Sequence, residues 1–278
     1  MTPVGRPRAN TINAMFGRGK AIIGVIHSWP LPGAPRYQGR PMREITDFAL
    51  REARAYAEGG MDGLIVENHG DIPFLKPEAL GPETAACMAI MADAVRREVG
   101  LPTGINVLAN GAHVALAVAR AAGAAFIRVN QWSNAYVANE GLVEGPAATA
   151  LRYRRSLAAD DVRIFADVHV KHGAHAITGD RSIEELARDN EFFDADVAIA
   201  TGQRTGDAAT TAEIDAIKGA TSLPVVVGSG VDADNIGRIL ERADGVIVAS
   251  SLKRDGVWWN EVDRDRLTEF MRAVEAAR

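Results

Sequence analysis

The sequence holds a single cysteine, Cys87, so no disulfide can form within the chain. That usage fits a reducing cytosol, and a cytoplasmic location is expected. Long apolar runs are also missing. The most apolar stretch, residues 111–127, is broken by His113 and Arg120, short of the roughly 18 apolar residues that a membrane span needs. Lysine and arginine are not gathered into a stripe and the formal net charge is −5, which argues against nucleic acid as a partner. The opening MTPVGRPRANTINAMFGRGK is basic but lacks the apolar segment of a secretory signal. Residues 1–20 are expected to be a flexible arm, with Phe16 available to pack against the body, ahead of one domain over 21–278.

What is present is an ordinary globular composition, 47% hydrophobic and 24% charged. Strand-like runs recur at 21–26, 64–67, 104–107, 126–130, 162–170, 197–200, 224–227 and 246–249. Helical spacing lies between them. Ile45, Phe48, Ala49, Glu52, Ala53 and Tyr56 repeat at i, i+3, i+4 with one polar interruption, and further helices are expected at 83–98, 112–122, 146–158, 182–192, 210–218, 232–240 and 262–277. Strand alternates with helix without a linker or a break in composition. The pattern predicts an α/β fold, a closed (β/α)8 TIM barrel, with an open doubly wound sheet as the rival.

The connections into strands are short, as in EGGMDG at 58–63, whereas those at 27–41, 68–82 and 131–146 follow strands and are long. Long loops are usually functional, and in a barrel these would all lie at the C-terminal mouth. Alternation along the strands points the same way. In FADVHVKHG (165–173), Asp167, His169 and Lys171 form one series, and Ala166, Val168 and Val170 the other. By the same rule Glu67, Asn106, Arg128 and Asn130 face inward, so that these groups converge on one cavity. A Glu67–Arg128 salt bridge that merely fills space is the plain alternative for that pair. As a set, so many inward polar groups would be costly to desolvate without a ligand or water.

The seventh and eighth strands run into VVVGSGVDADN (225–235) and VIVASSLKRDG (246–256). Barrels often bind phosphate there. Gly228 and Gly230 would let an anion approach the backbone, the N–H groups ahead of a helix at Asp232 would point at it, Ser229, Ser250 and Ser251 would donate hydroxyls, and Lys253 would add charge. A common Gly-Ser-Gly turn with Asp232 as a helix cap is the plain alternative. Trp29, Arg36 and Tyr37 suit either a lid or a loop packed on itself, while His27 follows the first strand and can reach the mouth. His172 and His175 are expected outside the centre, and His113 on a helix surface. Trp258-Trp259 would cap the mouth, join subunits, or pack under the last helix. A symmetric homo-oligomer is expected. Glu67, His69, Asp167, His169 and His27 are metal-ligand types, but their spacing is not diagnostic; no cofactor is expected, and a divalent metal stays open.

GVIHSWPLPGAPRY (24–37), with GLIVENHGDIPF (63–74), INVLANG (105–111), FIRVN (126–130) and ADVHVKH (166–172) in the same order, resembles the BtpA/SgcQ family from about residue 15 onward. The resemblance implies a TIM barrel of the ribulose-phosphate-binding type. It carries family-pattern status to His27, Pro30, Pro32, Gly33, Pro35, Arg36, Tyr37, Glu67, Asn68, Asp167, His169 and Lys171. Ser28 and Trp29 depart from the aliphatic residues usual there, which points to a different substrate. One branch of the family is linked to photosystem I biogenesis and another to genes of sugar use. Together, residues and resemblance lead to an enzyme on a small phosphorylated sugar or nucleoside-derived metabolite, with isomerase or lyase chemistry. Asp167, His169, Lys171 and Glu67 would be catalytic. His27, Arg36, Asn68, Asn106, Arg128 and Asn130 would bind substrate. Glycosidic hydrolysis by Glu67 and Asp167, and a non-catalytic assembly factor, are the alternatives.

Overall fold

The computed structural model describes residues 10–202 and 209–278. Its centre is a closed parallel barrel. In chain order the strands are β1 (Ala21–His27), β2 (Gly63–Glu67), β3 (Thr103–Asn106), β4 (Phe126–Val129), β7 (Arg163–Asp167), β8 (Val197–Ala200), β9 (Val225–Gly228) and β10 (Gly245–Val248), with β10 closing on β1. The missing numbers, β5 (Ala135–Ala138) and β6 (Gly141–Glu144), are an antiparallel hairpin inside the long loop after β4, where no strand was expected. The helices are α1 (Thr11–Phe16), α2 (Met42–Glu58), α3 (Pro82–Val99), α4 (Ala112–Ala122), α5 (Ala147–Ser156), α6 (Ile183–Phe192), α7 (Thr211–Ala220), α8 (Ile236–Leu240) and α9 (Arg264–Ala277). The (β/α)8 TIM barrel read from the sequence is therefore the fold, and the open sheet is excluded by the β1–β10 pairing. Among the described residues no helix is long and apolar enough to cross a membrane.

Alternation divides the core in two. Ile22, Leu64, Val66, Ile105, Ile127, Ile164, Val225 and Val246 face outward beneath the helices. Ile23, Val25, Ile65, Phe126, Phe165, Val197, Ile199, Val226 and Ile247 face inward and fill the barrel's lower interior. Glycine makes room where the rings are largest. A Cβ on Gly104 would lie 2.3 Å from the Phe126 ring, which stacks on Phe165 with centroids 4.3 Å apart. Glu67, Asn106, Arg128 and Asp167 come above this apolar fill, at the strand ends facing the mouth.

Residues 11–16, expected to belong to a flexible arm, form helix α1, while residues 1–9 lie outside the described residues. Asn10 caps the helix through its side chain, and Ile12 is fully buried in the inward cluster. Phe16 meets Phe126 edge-on at 6.1 Å. The helix closes the floor of the barrel, because the inward rings of Phe126 and Phe165 would otherwise face water. Truncating this plug should cost stability: Ile12→Ala is expected to lower the unfolding free energy by about 2–5 kcal/mol. Urea unfolding should show a lower midpoint at unchanged slope; an unchanged midpoint would mean that α1 does not seal the core.

Candidate active site at the mouth of the barrel

The inward series ends in a layer of charge. Arg128 donates from Nε to Asp167 Oδ1 at 3.1 Å and from Nη2 to Oδ2 at 3.2 Å. Asn130 Nδ2 donates to the same Oδ2 at 3.2 Å. Both carboxylate oxygens of Asp167 are thus occupied, and the residue is buried. A Cβ on Gly228 would crowd Ile199 at 2.8 Å, beside the guanidinium. The space-filling Glu67–Arg128 bridge, the plain alternative from the sequence, does not form: Arg128 forks onto Asp167. Glu67 instead accepts from Asn106 Nδ2 at 2.5 Å on one oxygen and from His69 Nδ1 at 2.8 Å on the other.

His27 joins Glu67 and His69. Its Nε2 lies 3.7 Å from Glu67 Oε1, and its Nδ1 is 3.1 Å from the Trp258 carbonyl, an acceptor that fixes the proton on Nδ1. The two imidazoles face each other with centroids 4.6 Å apart, and Trp258 meets both edge-on at 5.7 and 4.4 Å. Burial pushes His27 down to about 3, so the ring is neutral. Burial works to raise the Glu67 carboxyl, but the hydrogen bond and charge of His69, with His27 and Arg128, outweigh it and hold the group well below the usual range.

The strand of Asp167 is shorter than its alternation. Expected over 162–170, β7 ends at Asp167: its ladder with β4 stops at Ala166–Val129 and that with β8 at Asp167–Ile199, with one further backbone bond from Val168 N to the Ile199 carbonyl. His169 and Lys171 lie in the following loop and part company. His169 turns away from the centre and stacks on His175 at 3.7 Å, with Tyr136 of the hairpin on the far side of His175 at 5.4 Å. His175 Nε2 reaches the Val170 carbonyl at 2.8 Å, and Val137 exchanges backbone hydrogen bonds with Ala174, so the hairpin clamps this loop. Burial, then His175, lowers the His169 pKa. Lys171 stays at the centre: its Nζ donates to Ser229 Oγ at 2.8 Å. Burial, then the Arg128 charge, pushes the amine down to about 8 from the usual 10.5, with Asp167 and Glu67 opposing.

The remaining expected residues sort clearly. Asn68 is a staple between loops: it donates to Asp71 at 3.0 Å and the Leu108 carbonyl at 3.3 Å, and accepts from Leu108 N at 2.7 Å. Trp29 stacks on Phe48 at 4.6 Å under the Arg40 guanidinium, and Tyr37 donates to the Arg40 carbonyl, so this loop packs on itself. Arg36 is exposed on it. Lys253 is fully buried and ion-paired with Glu52 beside the Tyr56 ring, so its amine is engaged by α2 and not held out to an anion. The N–H groups expected to greet an anion at Asp232 are already used, since Asp234 N and Asn235 N donate to Asp232 Oδ1 and Asp232 N to Asn235 Oδ1. Ser251 Oγ donates to the Val231 carbonyl at 2.6 Å, which ties the two loops together. Left at these loops are Ser229, which meets Lys171, Gly230 in a left-handed turn (φ 63°), and half-buried Ser250. Trp258 roofs the histidines, whereas Trp259 is exposed. Sequence reasoning placed His69 among metal-ligand types but not at the centre; its signal was the two-residue step from Glu67.

The doubly held Asp167 carries a stability signature. Asp167→Asn should cost about 3–5 kcal/mol, because it leaves the buried Arg128 charge uncompensated. His169→Gln, away from this pair, should cost under about 1 kcal/mol. Thermal unfolding of both variants checks this, and an Asp167→Asn protein as stable as the parent would show that the carboxylate is poised for substrate instead.

Residues 18–276 match the model of the BtpA family. An uncharacterized protein of Archaeoglobus fulgidus is 43% identical over 92% of this chain and 99% of its own. The photosystem I biogenesis protein BtpA of Synechocystis is 42% identical over 91% of this chain and 87% of its own. Among solved structures, thiamine phosphate pyrophosphorylase from Pyrococcus furiosus superposes with a TM-score of 0.56 at 20% identity, covering 93% of this chain and 98% of that one, a likeness of fold. Matched by the family model along nearly its whole length, the chain belongs to the BtpA family.

Proposed function

We propose that the protein is an enzyme acting on a small phosphorylated sugar or nucleoside-derived metabolite, by isomerase or lyase chemistry at the barrel mouth. The observation that carries this reading is Lys171. Its amine bridges from the charged interior to Ser229, on the loop where an anion would sit, and it is depressed to about 8. A phosphate held by residues 228–231 and 249–251 would deliver the far end of a short sugar to that amine. Near neutrality a useful fraction of the amine is free to add to a carbonyl, losing water to give an imine. In its charged form it would stabilise an enolate. Asn106 Oδ1 and Asn130 Oδ1 are buried without a hydrogen-bond partner among the described residues, and they offer acceptors for sugar hydroxyls.

The glycosidase reading loses ground, because the oxygens of Asp167 are taken by Arg128 and Asn130. A biogenesis role, drawn from the name of the Synechocystis relative, finds support in exposed Phe192 and Trp259 as surfaces for a partner or a second copy of the chain. The archaeal relative is equally similar, which favours chemistry shared more widely.

Binding of phosphorylated pentoses and nucleoside-derived sugars, followed by calorimetry, tests the reading. At least one should bind, and Gly230→Val should weaken it by obstructing the backbone approach. Borohydride reduction with a bound carbonyl substrate should mark Lys171, with a rate that rises through about pH 8 as the amine loses its proton. No binding across the panel would shift the assignment to the biogenesis role; turnover without an adduct would leave Lys171 an electrostatic part only.

A further inference from the structure

The cluster of His27, Glu67 and His69 is more than the proposed sugar chemistry requires. Its ligand-type atoms, one from each residue, all lie within 4.8 Å of one another. His27 Nε2 and His69 Nδ1 stand 3.7 and 2.8 Å from the same carboxylate oxygen, Glu67 Oε1. Ligands around one ion at about 2.0–2.2 Å lie about 3–3.5 Å apart, so small rotations would bring all three atoms onto a common centre. The outer atoms of the two buried members are already held. The Trp258 carbonyl accepts from His27 Nδ1, which leaves Nε2 as the inward lone pair, and Asn106 holds Glu67 Oε2. Outer partners of this kind orient the ligands of metal centres.

We infer that His27, Glu67 and His69 bind one divalent transition-metal ion at the mouth of the barrel. Two imidazoles and one carboxylate suit Zn2+, Mn2+, Fe2+ or Co2+ better than Mg2+ or Ca2+, which prefer oxygen. Three protein ligands leave at least one coordination position for water or a substrate oxygen. In the metal-free chain, the His69 Nδ1 proton takes the metal's place against Glu67. Glu67 also senses the Arg128 and Lys171 charges, so the ion would stand beside the amine assigned above. A purely structural His–Glu–His network is the competing account. It explains the burial of Glu67, but not why His27 Nε2 stops at 3.7 Å with its lone pair aimed inward.

The inference does not depend on the proposed substrate, and its test needs no activity. The full chain, stripped with chelator, is titrated with Zn2+ and separately with Co2+, followed by calorimetry and the visible spectrum of bound cobalt. About one equivalent should bind, and Zn2+ should raise the melting temperature. His69→Ala, at a partly exposed position that leaves the fold intact, should weaken binding by about 100-fold or more and abolish the cobalt spectrum. Asn106→Ala should weaken it by about 10–100-fold, as loss of an outer partner does. His113→Ala, on α4, should bind like the parent. Mg2+ should compete poorly. The inference is overturned if the parent chain binds neither ion at millimolar concentration, or if His69→Ala binds them undiminished, which would mark the binding as adventitious. If sugar phosphates fail to bind but the metal does, only the substrate assignment falls.

Discussion

The buried fork between Arg128 and Asp167 is the interaction on which the rest of the mouth depends. A guanidinium taken out of water is tolerable only if its donors are met, and here two oxygens of one carboxylate meet them at 3.1 and 3.2 Å. With its charge fixed in the barrel's centre, Arg128 depresses the Lys171 amine and helps keep Glu67 ionised. Asn130 serves the same pair by a third hydrogen bond. The fold supplies the dry floor that makes these effects large: inward rings and α1 fill the barrel below, so the charged layer faces a low-dielectric base and an open mouth.

Two functional halves meet across that layer. On one side stand His27, Glu67 and His69 under the Trp258 roof; on the other, Lys171 reaches to Ser229 and the loop of Gly230. Each half alone has an ordinary explanation, a satisfied polar network or a turn. The Arg128 charge acts on both Glu67 and Lys171, and under the proposed function the two halves would serve one bound molecule, held at its anionic end by the β9 and β10 loops.

Strand alternation made much of this legible. Period-two patterning gave every barrel strand and the inward direction of Glu67, Asn106, Arg128 and Asp167, because the faces of a closed sheet leave no third option. It failed where the ladder stopped. His169 and Lys171 continue the alternation in letters, yet past Asp167 no neighbouring strand fixes their directions; a hairpin contact decides one and a serine the other. The hairpin was hidden because AYVANEGLVE pairs with itself and with Ala174 and not with a barrel strand, in a stretch that reads as loop. Pair identities were likewise out of reach, since alternation says which way Arg128 points but not which acid it meets. The buried Lys253–Glu52 pair shows the same limit: a lysine after β10 looks like a phosphate ligand until α2 supplies its partner.

The central claim is that an anionic end is held between the β9 and β10 loops while the reactive end faces Lys171. A crystal structure of the protein grown with inorganic phosphate or a bound sugar phosphate tests it most directly. The account predicts phosphate density beside Gly230 and Ser250, with Lys171 Nζ within hydrogen-bonding reach of the ligand. Phosphate bound elsewhere, with these loops empty in several crystal forms, would contradict it.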